Sequence, residues 1–176
     1  NIYQSFPNIY AIRGTPSRDA TLWAKCVGNT MRGLKSKILV PLHTRPVFGQ
    51  EKIFKLLTDY RDAIQYVHDQ TVFYMNRGLF PSQIVQKLKF PKLPKHLHDH
   101  PWLQPFYGNH PSAAVRSVFD HYLGWFGGDA KELSPSAPGA FAREIVSLLA
   151  KPEAILARTK ELLARSSILD GIDDDK

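Results

Sequence analysis

Gln50-Glu51-Lys52-Ile53-Phe54-Lys55-Leu56-Leu57-Thr58-Asp59-Tyr60-Arg61-Asp62-Ala63-Ile64-Gln65-Tyr66-Val67-His68-Asp69-Gln70-Thr71-Val72-Phe73-Tyr74-Met75 is the stretch whose reading decides the fold. Ile53, Leu56, Leu57, Tyr60, Ile64, Val67 and Met75 recur at three- and four-residue spacing. That period predicts one amphipathic helix of about 28 residues, roughly 42 Å long at 1.5 Å per residue. Gly78 supplies its stop. Downstream, Pro81-Ser82 opens a short helix carrying Ile84, Val85 and Leu88, and Pro91, Pro94, Pro101 and Pro105 then mark an extended loop. Val115, Val118, Phe119, Tyr122, Leu123 and Phe126 predict a further helix closed by Gly127-Gly128. Two last helices carry Phe141, Ile145, Leu148 and Leu149, and, from Pro152 in the first turn, Ile155, Leu156, Thr159, Leu162 and Leu163.

Upstream the pattern differs. Pro7-Asn8-Ile9-Tyr10-Ala11-Ile12 reads as a strand, a helix starts near Asp19 and runs past Met31 to Gly33, and Lys37 to Pro41 reads as a short buried strand. The expected class is therefore mainly α, with a short α/β piece over residues 1–49, an all-helical part over 50–166 and an acidic tail over 167–176. Two strands and one helix cannot cover their own faces, so the N-terminal piece is expected to complete a sheet whose other strands lie upstream.

A chain of 176 residues with 43% hydrophobic and 22% charged residues has the composition of a globular domain, which excludes disordered and collagen-like classes. No run approaches the ~20 apolar residues of a membrane span. The single Cys26 cannot form an internal disulfide or a Cys-based zinc cluster. The net charge of +7 is spread along the chain rather than gathered in one run. That dispersal argues against nucleic acid as a partner and leaves either an anionic substrate or no specific meaning.

Few residues stand out as chemistry. His43 follows a strand, where functional groups of layered folds often emerge, but one imidazole without partners cannot hold a metal, and spacing alone favours a hydrogen-bonded loop histidine. Arg13, ending the first strand, either clamps an oxyanion or is an ordinary surface residue. His96, His98 and His100 could share one side of an extended loop, yet no fourth ligand accompanies them and a solvated loop is favoured. His68, four residues from Ile64, reads as a satisfied core histidine, and Phe119, Tyr122, Trp125 and Phe126 read as packing.

Several strings taken together resemble the alkylsulfatases of the metallo-β-lactamase superfamily. They are Phe6 to Gly14 with Arg18-Asp19-Ala20, His43-Thr44-Arg45-Pro46, Tyr60 to Thr71, Asn76-Arg77-Gly78-Leu79, Leu103 to Gly108, and Tyr122 to Phe126, in the family's order over nearly the whole chain. The resemblance implies that residues 1–49 end a catalytic αβ/βα domain and that 50–166 form a dimerisation domain, with a homodimer as the assembly. It implies a family activity, the hydrolysis of alkyl sulfate esters to alcohol and sulfate by two zinc ions. By the same resemblance His43 matches a late metal ligand and Arg13 the arginine that contacts the substrate sulfate.

The family's H-x-H-x-D-H motif does not occur in the sequence, since His96-Leu97-His98-Asp99-His100 is one residue too short and in the wrong region. The expectation is thus a fragment of a zinc-dependent alkylsulfatase, inactive alone because zinc catalysis needs about three protein ligands and an open position. The alternative is a non-catalytic helical dimerisation module.

Overall fold

A computed structural model describes residues 2–10, 15–88, 94–98, 100–103, 111–148 and 152–164. The chain is mainly helical, in the order α1 (Ala20–Met31), β1 (Ile38–Leu39), β2 (Val47–Phe48), α2 (Gln50–Met75), α3 (Pro81–Leu88), α4 (Lys95–His98), α5 (Pro111–Leu123), a 3-10 turn at Ala130–Glu132, α6 (Pro138–Leu148) and α7 (Pro152–Ala164). Two compact units result, Asn1–Asp129 and Ala130–Lys176.

The first unit is organised around α2. Its buried residues Ile53, Leu56, Leu57, Tyr60, Ala63, Ile64, Val67 and Thr71 follow the sequence period and make one stripe. Helix α1 is set by its own N-cap: the Asp19 carboxylate accepts from the Leu22 N–H at 2.9 Å and from the Thr21 hydroxyl at 2.6 Å. The Leu22 hydrogen bond, first among its influences, holds the Asp19 carboxyl below its usual range. Ala20, Ala24, Val27 and Met31 form the buried face of α1, and α1 packs against α2. Val27 and Met31 meet Ile53 and Leu57, while Ala20 and Ala24 share a core with Tyr60, Ile64, Val115 and Phe119. A fully packed stripe of this kind contributes about 1.5–3 kcal/mol for each large side chain removed from water.

The N-terminal segment departs from expectation. Residues 7–10, the described part of the expected first strand, form no strand. Pro7 has no N–H to give a ladder, and the backbone instead bonds to itself at short range, Ser5 to the Tyr3 carbonyl at 2.7 Å and Ile9 to the Pro7 carbonyl at 2.9 Å. Phe6 and Ile9 are buried all the same, as apolar anchors of an irregular segment.

The expected buried strand from Lys37 to Pro41 shrinks to Ile38–Leu39, paired antiparallel with Val47–Phe48 in a register that sets Ile38 opposite Phe48 and Leu39 opposite Val47. Alternation explains the burial: Leu39 and Val47 face the cluster of Val27, Met31, Ile53 and Leu57, whereas Ile38 and Phe48 point outward, 50% and 62% exposed. The order is accordingly α, β, β, α rather than β, α, β over the described residues.

Two helix boundaries also move. The four prolines do not keep residues 94–98 extended, because Pro94 starts a helical turn that becomes α4, with the Leu97 N–H bonded to the Pro94 carbonyl at 2.7 Å. Helix α5 ends at Leu123 instead of Phe126, since Gly124 takes a left-handed conformation at φ +84° and breaks the helical path.

The second unit holds α6 and α7. Residues 138–147 of α6 are exposed along their whole length, Phe141 and Ile145 included.

Candidate functional site

His43 lies in the loop between β1 and β2, exposed, with its ring edge-on to that of Tyr3 at a centroid distance of 6.3 Å. The hairpin therefore carries the imidazole back to the N-terminal segment. That segment is pinned in turn: the Arg18 guanidinium donates to the Asn8 carbonyl at 2.8 Å, and the Arg18 N–H bonds the Ile9 carbonyl at 3.1 Å. Tyr60 on α2 bonds the backbone of Tyr3 and is itself fully buried. Burial, ahead of the neighbouring Tyr3, pushes the Tyr60 phenol far up, and burial likewise raises that of Tyr3 against the opposing pull of Arg18 and the Ser5 hydrogen bond. Both phenols stay neutral and serve as hydrogen-bonding packers.

Arg13, the expected sulfate contact, lies outside the described residues, as do Asp99 and residues 104–110. For His43 the fit to a metal can be tested. Among the described residues no group of three or more His, Cys, Asp or Glu comes together, and the aromatic neighbour of His43 is the Tyr3 ring, not a second donor. One exposed imidazole does not make a zinc centre, which needs about three protein ligands.

Two other histidines, His68 and His100, are held by hydrogen bonds. His68 is held at both nitrogens, Nδ1 by the Asp69 carboxylate and Nε2 by the Tyr122 hydroxyl, each at 2.8 Å, so it clips α2 to the end of α5. The imidazole is satisfied, as the sequence led one to expect, but it is half-buried at the edge of α2 rather than a core residue. The His96/His98/His100 group does not form a solvated loop. His96 is exposed on α4, but His100 turns inward, its side chain 12% exposed, and its Nε2 lies 3.1 Å from Oδ2 of the buried Asp59. Its Nδ1 accepts the Trp102 N–H at 3.2 Å. Burial chiefly, with Lys55 adding and Asp59 opposing, holds the His100 imidazole below its usual pKa. Lys55 completes the group, its ammonium 2.5 Å from the same Asp59 oxygen. The sequence did carry a signal for this cluster: Asp59 sits three residues after Leu56 and four before Ala63, on the apolar stripe of α2, where a carboxylate must find donors.

The aromatic stripe divides. Phe119 is buried, and Phe126 stacks edge-on against Phe80 at 6.3 Å, but Tyr122 and Trp125 are 49% and 67% exposed. With Leu123 they leave an apolar rim at the end of α5.

The family model for alkyl sulfatase dimerisation matches residues 81–168, half of the 176-residue chain. The chain belongs to the alkyl sulfatase dimerisation family. Among curated relatives, it is 40% identical over 153 residues to a linear primary-alkylsulfatase of Pseudomonas sp. (strain ATCC 19151), a match covering 86% of the chain and 28% of that protein. It is 33% identical over 153 residues to the alkyl/aryl-sulfatase BDS1 of Saccharomyces cerevisiae, covering 86% of the chain and 23% of that protein. The chain thus spans about a quarter of the length of these curated relatives. Its fold is similar to that of the stereoselective inverting sec-alkylsulfatase Pisa1 from Pseudomonas sp., with a TM-score of 0.80 at 25% identity over 93% of this chain and 26% of that one. No helix among the described residues is long and apolar enough to cross a membrane.

Proposed function

We propose that this chain is the self-association segment of a sulfuric ester hydrolase acting on alkyl sulfates, and that it pairs with a second copy through apolar helical faces. The family match over residues 81–168 carries the reading, and exposed apolar residues within it support it. The family-matched residues 81–168 include Tyr122, Leu123 and Trp125 in the first unit and Leu133, Phe141, Ile145, Val146 and Leu156 in the second, each between 40% and 67% exposed. Contiguous exposed apolar residues, such as Phe141 and Ile145 one helical turn apart on α6, mark association surfaces, and homodimer interfaces are enriched in them. Burying them stabilises by about 25 cal/mol for each Å² removed from water.

In this reading residues 1–49 belong to a catalytic domain, 50–166 to the dimerisation domain, and 167–176, outside the described residues, to an acidic tail. The outward face of Ile38, Val40, Leu42 and Phe48, from 50% to 91% exposed, supports further layers covering the hairpin. His43 supplies one ligand and Arg13 the sulfate contact of a zinc site whose remaining donors are not among the described residues, so catalysis is not assigned to this chain by itself.

Sedimentation and light scattering of the chain test the association. The expected species is twice the 20.0 kDa monomer, and a Phe141→Asp, Ile145→Asp pair shifts it to monomer without loss of helical circular dichroism. A monomer at high micromolar concentration overturns the reading. Metal analysis and decyl sulfate turnover run beside it. Zinc-free, inactive dimer is expected, and chelator-sensitive turnover overturns the division of labour.

A further inference from the structure

The last turn of α5 brings a phenol to a half-buried imidazole on α2. Oη of Tyr122 lies 2.8 Å from Nε2 of His68, and Nδ1 of the same ring lies 2.8 Å from the Asp69 carboxylate. An ionised carboxylate can only accept, so Nδ1 of the neutral ring carries its proton and Nε2 keeps a lone pair. The Tyr122 hydroxyl is therefore the donor to Nε2. Carboxylate, imidazole and hydroxyl stand in the order in which an orienting acid, a base and a nucleophile act on one another.

The surroundings suit that hydroxyl to reaction. Tyr122 is 49% exposed, so small reagents reach the residue. Its ring is flanked by two imidazoles, His68 at 5.8 Å and His121 edge-on at 5.2 Å between centroids, which fixes its direction. The cavity between α1 and α2 reaches His68 and Asp69, and Gln65, one helical turn before them, brings an amide donor to the same wall. By contrast, burial raises the phenols of Tyr3, Tyr60 and Tyr66 and keeps them protonated. The hydrogen-bond partner of the Tyr122 hydroxyl is an imidazole backed by a carboxylate, a pairing that takes up a proton but neutralises no negative charge. The electrophile it suits is thus a neutral carbonyl, as in an acyl ester, rather than an anionic phosphoryl or sulfuryl donor.

The geometry points to Tyr122 as a nucleophilic acyl-acceptor site, with His68 its general base and Asp69 the positioning residue of that base. In the step, Oη bonds to the carbonyl carbon of an activated ester while its proton passes to Nε2 of His68. The tetrahedral adduct then breaks its bond to the ester oxygen, which leaves as the anion or takes the proton back from Nε2. An acyl ester of Tyr122 remains. The site lies apart from the hairpin that carries His43 and rests on neither the hydrolase nor the association reading.

The probe is p-nitrophenyl acetate, applied to the whole chain. Peptide mass spectrometry then locates acetyl groups that hydroxylamine removes, the mark of a phenol ester rather than of an acetylated lysine. Tyr122 is expected to be acetylated about tenfold or more faster than Tyr10 and Tyr74, the internal controls. The rate should fall on acidification, as imidazoles take up protons. Tyr122→Phe should remove the mark, and His68→Gln should slow it about tenfold or more. Asp69→Asn should slow it several-fold by releasing the tautomer, and because Asp69 is exposed, circular dichroism should match the parent and separate loss of the base from loss of fold. The Phe141→Asp, Ile145→Asp pair is treated in parallel. Labelling in that pair but not in the parent supports the site and places it under a second copy. Tyr122 labelled no faster than Tyr10 in both proteins overturns the proposal, as does an undiminished rate in His68→Gln.

Discussion

Replacing Asp59 by alanine is the sharpest probe of how α4 and the segment after it are fastened to α2. The substitution removes an acceptor shared by two contacts of unequal worth. Lys55 is 69% exposed, and an exposed pair four residues apart on a helix contributes only about 0.3–0.5 kcal/mol. His100 is another matter, because its side chain is 12% exposed and loss of Asp59 leaves the Nε2–H without that acceptor, at a cost of about 1–3 kcal/mol. The sum is about 2 kcal/mol. For a chain of this length that corresponds to a fall in Tm of about 4–8 °C. Asp59→Asn retains an acceptor oxygen and should lose about half as much. Thermal unfolding by far-ultraviolet circular dichroism measures both.

The same cluster gives a pH dependence with a definite sign. His100 is held neutral because Nδ1 accepts the Trp102 N–H, and burial, its largest influence, lowers its pKa from 6.5. Between the lowered folded value and about 6.5 the unfolded chain binds the proton more readily than the folded one. The stability contributed by neutral His100 is thus complete above about pH 6.5 and declines as the pH falls toward the folded value. Compared with His100→Gln, the parent should lose more Tm between about pH 7 and about pH 5. A Tm for Asp59→Ala within about 1 °C of the parent, or a parent that gains on His100→Gln as the solution is acidified, refutes the reasoning.

Two further outcomes follow from packing. Gly128 has φ +85°, and a side chain there would begin 2.4 Å from the Phe80 ring, so Gly128→Ala should displace that ring and cost about 2 kcal/mol or more, read by denaturant titration. Ser117 buries its hydroxyl with no hydrogen-bond partner among the described residues, so Ser117→Ala should leave the urea midpoint unchanged or raise it, by up to about 1 kcal/mol in stability; a marked loss would reveal a partner for that hydroxyl.

The sequence alone determined what depends on local period and capping. The stripe from Ile53 to Val67 announced α2, Asp19 announced the start of α1, and Pro81 and Pro152 stand at the first residues of α3 and α7, because each of these signals acts within a turn or two of the chain. His68 was legible for the same reason, as a histidine beside an apolar stripe. Tertiary structure decided everything that needed a distant partner. Whether Leu39 found Val47 rather than a strand elsewhere, which imidazole of the His96 to His100 group turned toward Asp59, and how α1 packed against α2 depend on groups far apart in sequence and close in space. Hydrogen bonds and ion pairs of that kind are fixed only when the core brings their partners within about 3 Å, and no spacing rule along the chain encodes that distance.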